Sequence, residues 1–338
     1  MKSTIRDVAV MAGVSISTVS RVMNAPNSVV KHKREKVLEA IKALQYKPNG
    51  LARGLIYKKT NTLGVIIPDI QNPYYAGVIR GMEDASKALG YSIMICNTDR
   101  DEKRLFSYMQ NLNEKRVDGI LYTSDVVYPD FYEEIEAYRI PLVLVATHSL
   151  EYELPSVKIN DEAAAYDAVK YLISLGHTSI GMISFELTDE IAGLPRYEGF
   201  QRALREYELE ACVQQVAFAK HWHDDAYYAA ERLLQQYPDI TAIFTTSDEF
   251  AMGVLSYMHE KGIRVPEQMS VIGFDNIRMA QFTIPKLSTI AQPVYNMGYR
   301  AVEKLNALIK GEPDSTLREY LPHELIVRSS TGPQAARS

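Results

Sequence analysis

Cysteine is nearly absent: the 338 residues hold two, Cys96 and Cys212, in unrelated contexts without CxxC spacing, which excludes a disulfide framework. No stretch approaches the roughly 18 consecutive apolar residues of a membrane helix. The opening MKSTIRDVAVMAG lacks an apolar signal core, so a cytoplasmic protein without membrane contact is expected. The chain has no GxSxG elbow, GxxxxGK phosphate loop or GxGxxG fingerprint. His221 and His223 flank the only tryptophan, Trp222, at a spacing that shares a face on a strand and not on a helix. They complete no ligand set, so neither metal nor cofactor is expected. Carboxylates are too many and too scattered to single out a catalytic pair, and the chain reads as a non-enzyme.

Charge is present but unevenly spread. Residues 1–60 carry 12 Lys and Arg against 3 Asp and Glu, a net of +9; the other 278 carry 25 against 39, a net of −14, giving the overall −5. A basic segment on an acidic body is the electrostatic footprint of a part that meets a polyanion, and its binding should weaken steeply with salt.

The basic segment reads as three short helices. Thr4 and Asp7 have capping-box spacing, Ile5, Val8, Ala9 and Ala12 make one apolar face, and Gly13 suits a helix end. Ser15 can cap a second helix in VSISTVSRVMN whose Val19, Val22 and Met23 face inward, and Asn24, Pro26 and Asn27 end it. A third helix, Arg34 to Tyr46, places Val37, Leu38, Ile41 and Leu44 on one stripe. The first two form a helix-turn-helix.

TIRDVAVMAGVSISTVSRVMN, followed by KVLEAIKALQYKPNGLARGL, resembles the DNA-binding region of the lactose/galactose repressor family of bacterial transcription regulators, a resemblance that runs along essentially the whole chain. It implies that Ile16, Ser17 and Arg21 read base edges in the major groove, with Thr18 and Asn24 in the same contacting set. Arginine can bond guanine O6 and N7 in pairs, and serine can donate or accept. Ile16 could instead be a core residue, three positions before Val19. In KPNGLARGLIYKK the resemblance implies a hinge that turns helical on operator DNA: Leu55 matches the leucine that levers open the minor groove, and Asn49, Ala52 and Arg53 match the other contacts. The rival reading is a polar linker. Gly50 departs from the family's usual alanine and should make this hinge easier to melt. Val30 to Lys33 also departs, offering no cap and placing positive charge at a helix N-terminus, which suits a nearby DNA phosphate.

From Leu63 short apolar strands alternate with helices: LGVIIPD, YSIMIC, GILYTS and PLVLVA, then, after helix Asp161 to Leu175, SIGMIS, VAFA, AIFTT and SVIGF. Continuous apolar strands between helices mean parallel sheets covered on both faces, here in two α/β lobes with a ligand cleft beyond the strand ends. The expected fold is an all-α helix-turn-helix headpiece (1–46), a hinge (47–60) and a two-lobed α/β periplasmic-binding-protein-like domain (61–338). The resemblance implies three crossings between lobes, which gives a first lobe of about 61–160 and 291–321 and a second of about 161–290 and 322–338.

A sugar site wants carboxylates, amides, an arginine and an aromatic face. Asn72, Tyr74, Tyr75, Asp248 and Asp275 follow strands. The resemblance implies Arg196 and Asp275 as ligand contacts and Trp222 as the ring over the ligand. Tyr74, Tyr75 and Trp222 could instead be packing residues, and Asp248 a helix cap. The expected function is a dimeric regulator of carbohydrate-utilisation genes, in most members of the family a repressor, which binds pseudo-palindromic operator DNA and is switched by a sugar or sugar phosphate. LPSVKINDEAAAYDAVKYLISLGH and IGFDNIRMAQFTIPKLSTIAQPVYNMG look most like the catabolite-control branch, implying as alternative a serine-phosphorylated phosphocarrier protein as corepressor, docked along Arg80 to Leu89. A solute-binding protein or a sugar-modifying enzyme are the rivals from other classes.

Overall fold

The computed structural model describes residues 3–46, 59–220, 223–312 and 316–334. It divides into two compact units, Met1–Thr60 and Asn61–Ser338. In the first, α1 (Ile5–Ala12) starts at Thr4, whose side chain accepts from the Asp7 amide while its own amide donates to the Asp7 carboxylate. Gly13, at φ 64°, ends the helix in the left-handed region that suits glycine. Ser15 caps α2 (Ile16–Asn24) by accepting from the Thr18 amide, a contact of the kind that contributes about 1 kcal/mol. Val8, Ala9, Ala12, Val19, Val22, Val37 and Ala40 form the core of this unit. The third helix, α3 (Lys31–Ala43), begins three residues before the expected start, and Val30 ahead of it supplies no side-chain cap. Leu38, expected inside, is 53 % exposed, and Ala40 takes the buried position.

The second unit contains two six-stranded sheets. One is ordered β11 (Arg318–Leu321), β5 (Ser156–Ile159), β4 (Leu142–Val145), β3 (Gly119–Thr123), β1 (Thr62–Ile67), β2 (Ser92–Asn97). The other runs β12 (Glu324–Ile326), β10 (Ser288–Ala291), β9 (Ser270–Asp275), β8 (Ala242–Thr245), β6 (Ile180–Ser184), β7 (Val216–Phe218). Pairing is parallel except between β10 and β12. Central strands such as β3, β4, β6 and β9 are buried throughout, as their unbroken apolar runs demand.

The chain passes between the sheets after β5, after β10 and after β11. Leu321 pairs with Ile159 in the first sheet and Glu324 with Ala291 in the second, so the three passages are neighbours. After β10, α11 (Val294–Lys310) returns to the first lobe and packs on α4 (Pro73–Ala88). Glycine is required at that crossing: a Cβ at Gly81 would lie 2.0 Å from the Tyr295 carbonyl oxygen, and one at Gly298 2.0 Å from that of Val78. The chain end docks on the second sheet, where Ser330 Oγ donates to the Val271 carbonyl and the Val271 amide donates to that of Ser330.

Candidate functional site: a polar cleft between the lobes

A parallel sheet directs the residues that follow its strands to one edge, and here the two edges face each other across a cleft. Asn72, Tyr74 and Tyr75 enter it from the start of α4, Arg100 after β2, Ser124 after β3 and Lys158 within β5. From the second lobe come Asp161 on α7 (Asp161–Ser174), Phe185 after β6, Arg196 on α8 (Gly193–Glu206), Ser247 after β8 and Asp275 at the end of β9. Gln292 lies on the second passage between lobes.

These side chains form one series of hydrogen bonds and ion pairs that begins and ends in the first lobe. Lys158 Nζ is 3.1 Å from Asp161 Oδ2, and Arg196 donates through Nε and Nη2 to Asp161 Oδ1 at 3.0 and 2.8 Å. Arg196 Nη1 donates to the Thr246 carbonyl and stands 3.9 Å from Asp275 Oδ1, while the guanidinium lies 3.8 Å above the Phe274 ring. Gln292 Nε2 donates to Asp275 Oδ1 at 2.7 Å and its Oε1 accepts from the Tyr74 hydroxyl at 3.3 Å. Arg196 is only 6 % exposed, so its charge depends on these carboxylates. Lys158 also donates to His148 Nδ1, and burial, with Lys158 and Arg318 nearby, lowers the imidazole pKa to about 4, leaving it neutral.

Asp275 sits at φ 117°, a left-handed value that turns its carboxylate out of the strand line toward the cleft. Burial raises its pKa to about 7 against the opposing pull of Arg196 and the Gln292 amide. It therefore exchanges its proton in the neutral range.

Of the residues expected to hold a ligand, Asn72, Tyr74, Tyr75, Arg196 and Asp275 line the cleft together. The two tyrosines are also packed edge to face, with ring centroids 5.3 Å apart, so lining and packing are one arrangement there. Asp248 is a correction. It is fully buried under the β9–β10 connection, where Oδ1 accepts from Thr289 Oγ1 and Oδ2 from the Ile277 amide. The cap of α10 (Asp248–Glu260) is Ser247, and Asp248 pins a loop instead of facing the cleft. Trp222 lies outside the described residues, as do the hinge positions Asn49, Ala52, Arg53 and Leu55. Sequence reasoning passed over Lys158, Asp161, Gln292, Arg100 and Asp189. Asp161 stands in the first turn of a helix and Asp189 in a loop, places where carboxylates are common, and Lys158 and Gln292 stand where no local pattern marks a site.

On the headpiece, Ile16, Ser17 and Arg21 are exposed. Ile16, at 41 % exposure, is not a core residue. Ser15 Oγ lies 2.8 Å from Ser17 Oγ and 2.9 Å from Thr18 Oγ1, a hydroxyl cluster at the start of α2. Asn24 closes the same helix. The first turn of α3 has no acidic residue, and Lys31, Lys33 and Arg34 are held there at the positive helix end.

Comparison with known proteins bears on both units. Residues 4–49 match a family described as bacterial regulatory proteins, lacI family, and residues 60–328 one described as periplasmic binding proteins and sugar binding domain of LacI family. The catabolite control protein A of Priestia megaterium is 39 % identical over 331 residues, covering 98 % of this chain and all of that one. Among solved structures, a lac repressor dimer bound to operator and the anti-inducer ONPF is similar with TM-score 0.87 and 25 % identity, covering 98 % of this chain and 100 % of that one. A transcriptional regulator CelR–cellobiose complex gives TM-score 0.75 and 28 % identity, covering 97 % and 99 %.

Proposed function

We propose, from the premise that this chain belongs to the LacI family of bacterial regulatory proteins, that it is a dimeric repressor of carbohydrate-utilisation genes whose operator binding is switched by a sugar in the cleft. The observation that carries this is the series from Lys158 through Asp161, Arg196, Asp275 and Gln292 to Tyr74. It ties both lobes and the second passage between them to one set of donors and acceptors, so a bound polyol that inserts its hydroxyls changes how the lobes are held. We assign Arg196, Asp275, Tyr74 and Tyr75 to the effector, and Trp222 with them by the family pattern. Acting on DNA places the protein in the cytoplasm; among the described residues no helix is long and apolar enough to cross a membrane.

Base reading falls to α2, with Arg21 on guanine and Ser17, Thr18, Asn24 and Ile16 around it, and the hinge contacts to Asn49, Ala52, Arg53 and Leu55. Selection from randomised duplexes should return a pseudo-palindrome protected over two half-sites, because a two-fold dimer matches two-fold DNA. Arg21→Ala should weaken specific binding by about 1–3 kcal/mol per half-site while leaving salt-sensitive non-specific binding in place. Failure to enrich any sequence would remove the regulator reading.

Asp275 adds a pH signature. Its folded pKa is raised, so the stability it contributes is present below 3.8 and is lost as pH rises through about 7. A ligand hydroxyl donates more strongly to the ionised carboxylate than to the acid. Sugar affinity is therefore expected to rise between pH 6 and pH 8, by up to about tenfold, and to become flat in Asp275→Asn, read by calorimetry.

Similarity to a catabolite control protein favours the other reading, a phosphorylated carrier protein docked on α4. The charges there oppose it: Arg80 is paired with Glu83 and Asp84, the Tyr295 hydroxyl donates to Asp84, and Arg300 is paired with Glu303 and Glu319. Arg80, Lys87 and Arg300 stand against four carboxylates, so the face offers no excess positive charge to a phosphoserine dianion. The buried carboxylates of the cleft serve as hydrogen-bond acceptors in this account and not as an acid–base pair. Recovery of unaltered sugar after incubation with the protein separates a regulator from a sugar-modifying enzyme.

A further inference from the structure

We propose that the effector is a neutral saccharide of at least two rings, the first held by the Arg196–Asp275 group and the second in an outer compartment walled by Asp125, Tyr128 and Phe185. This rests on the sugar reading above and narrows it.

Size is the first argument. The deep part of the cleft is a cavity of about 60 Å³, well under the about 300–1,000 Å³ usual for ligand sites. It continues outward into a compartment of about 340 Å³, with Arg100, Phe185, Asp189 and Ile191 lining both. A ligand seated in a site of ordinary size must extend beyond the deep cavity, and Phe185, which lines this compartment and the deep cavity but not the wider opening on the other side, favours this direction.

The walls of the outer compartment suit a second ring. Phe185 follows β6 and is buttressed by Phe250, with ring centroids 4.5 Å apart, so it presents a fixed apolar face at the junction. Tyr128 is half-exposed on the opposite lobe. Asp125 is held by the Val126 amide, which donates to Oδ1, and the Tyr122 hydroxyl anchors the same loop through the Val126 carbonyl. Arg100 stands at φ 57°, after Asp99 at φ 52°, a two-residue left-handed turn that aims its side chain across the cleft to within 3.9 Å of Asp189. Ring faces and fixed carboxylates from both lobes are what a sugar ring requires.

Charge decides for a neutral ligand. Each of the three cations lining the deep cavity has an acidic partner within 4 Å: Lys158 and Arg196 share Asp161, Arg196 also faces Asp275, and Arg100 faces Asp189. The wider opening on the other side, about 780 Å³, has Lys158 as its cation, already paired, against Glu151, Glu162, Glu190 and Glu198. The outer compartment adds Lys220 to Arg100, against Asp125, Glu186, Asp189 and Glu190, so carboxylates outnumber cations in both directions and disfavour a phosphate.

Titration calorimetry on the full chain tests this with glucose and galactose, with cellobiose, maltose, trehalose, sucrose and lactose, and with glucose 6-phosphate. The expected result is a disaccharide that binds at least tenfold more tightly than its component monosaccharides, with Asp125→Ala and Tyr128→Ala each removing that advantage and leaving monosaccharide binding unchanged. Two substitutions on separate side chains guard against one that merely disturbs the loop. Monosaccharides as tight as every disaccharide, or an advantage that survives both substitutions, overturn the second ring while the sugar reading stands. Glucose 6-phosphate tighter than glucose overturns neutrality. No heat from any of the probes overturns the sugar reading itself, and this inference with it.

Discussion

Arg196→Ala is expected to abolish effector binding and to lower the stability of the α/β unit by about 3–5 kcal/mol. The magnitude follows from what is left behind. Asp161 would keep only Lys158 as a buried cation, and Asp275, on the far side of the guanidinium, would keep none, retaining the Gln292 amide. Removing one member of a buried ion pair costs far more than the pair contributes, because the stranded charge stays in a poorly solvated place. Against a typical stability of about 5–15 kcal/mol this is a large share, and for a unit of this size it corresponds to a melting point lower by roughly 10 °C. Arg196→Lys separates charge from shape: it restores a cation but loses the planar fork that bonds Asp161 through two nitrogens while stacking on Phe274. Its melting point should recover in part while effector binding stays lost. Equal effector affinity in wild type and Arg196→Ala would remove the guanidinium from the site.

The second large effect is expected at the dimer interface. The connection between β9 and β10 exposes Met279, Phe282 and Ile284, with Phe282 at 67 % and Ile284 at 95 % exposure, in a family that works as dimers. An isologous interface uses each residue twice, so two side chains per protomer place four in the contact. At about 1.5–3 kcal/mol for each large apolar side chain fully buried, their loss exceeds the about 4 kcal/mol that corresponds to a thousandfold in dissociation constant. Phe282→Asp with Ile284→Asp should give monomers at micromolar concentration by sedimentation and lose tight binding to a two-half-site operator. Exposed in the single chain, these side chains contribute little to its own fold, so the melting point of the monomer should stay close to wild type. A variant that remains dimeric moves the interface elsewhere.

How much of this was legible without coordinates depends on whether a signal is local. The first two headpiece helices were readable because Thr4, Asp7, Gly13 and Ser15 cap within a turn of their apolar stripes. The start of the third was not, because Val30 supplies no side-chain cap, and Leu38 was misplaced because so short a core buries a narrower face than the pattern offers. Strands with unbroken apolar runs were plain. Ser156–Ile159 was hidden because Lys158 interrupts it, and that lysine is tolerated only through Asp161 and His148, partners that no local pattern identifies. The site divides in the same way. Tyr74, Tyr75 and Asp275 follow strands and could be read directly, and Arg196 came from resemblance to a family. Gln292 and Arg100 join the site only through topology. Asp248 follows a strand too, yet its carboxylate is consumed by Thr289 and the Ile277 amide, so position after a strand is not sufficient evidence of a ligand contact.

The central claim is that the cleft and the DNA surface are coupled, and linkage supplies its direct test. Once a sugar has been found by calorimetry, operator affinity is measured with and without saturating sugar, and sugar affinity with and without saturating operator. Coupling requires one and the same factor in both experiments, on the order of 5- to 150-fold. Equal operator affinity with and without bound sugar would leave the cleft as a binding site without a regulatory output and contradict the account.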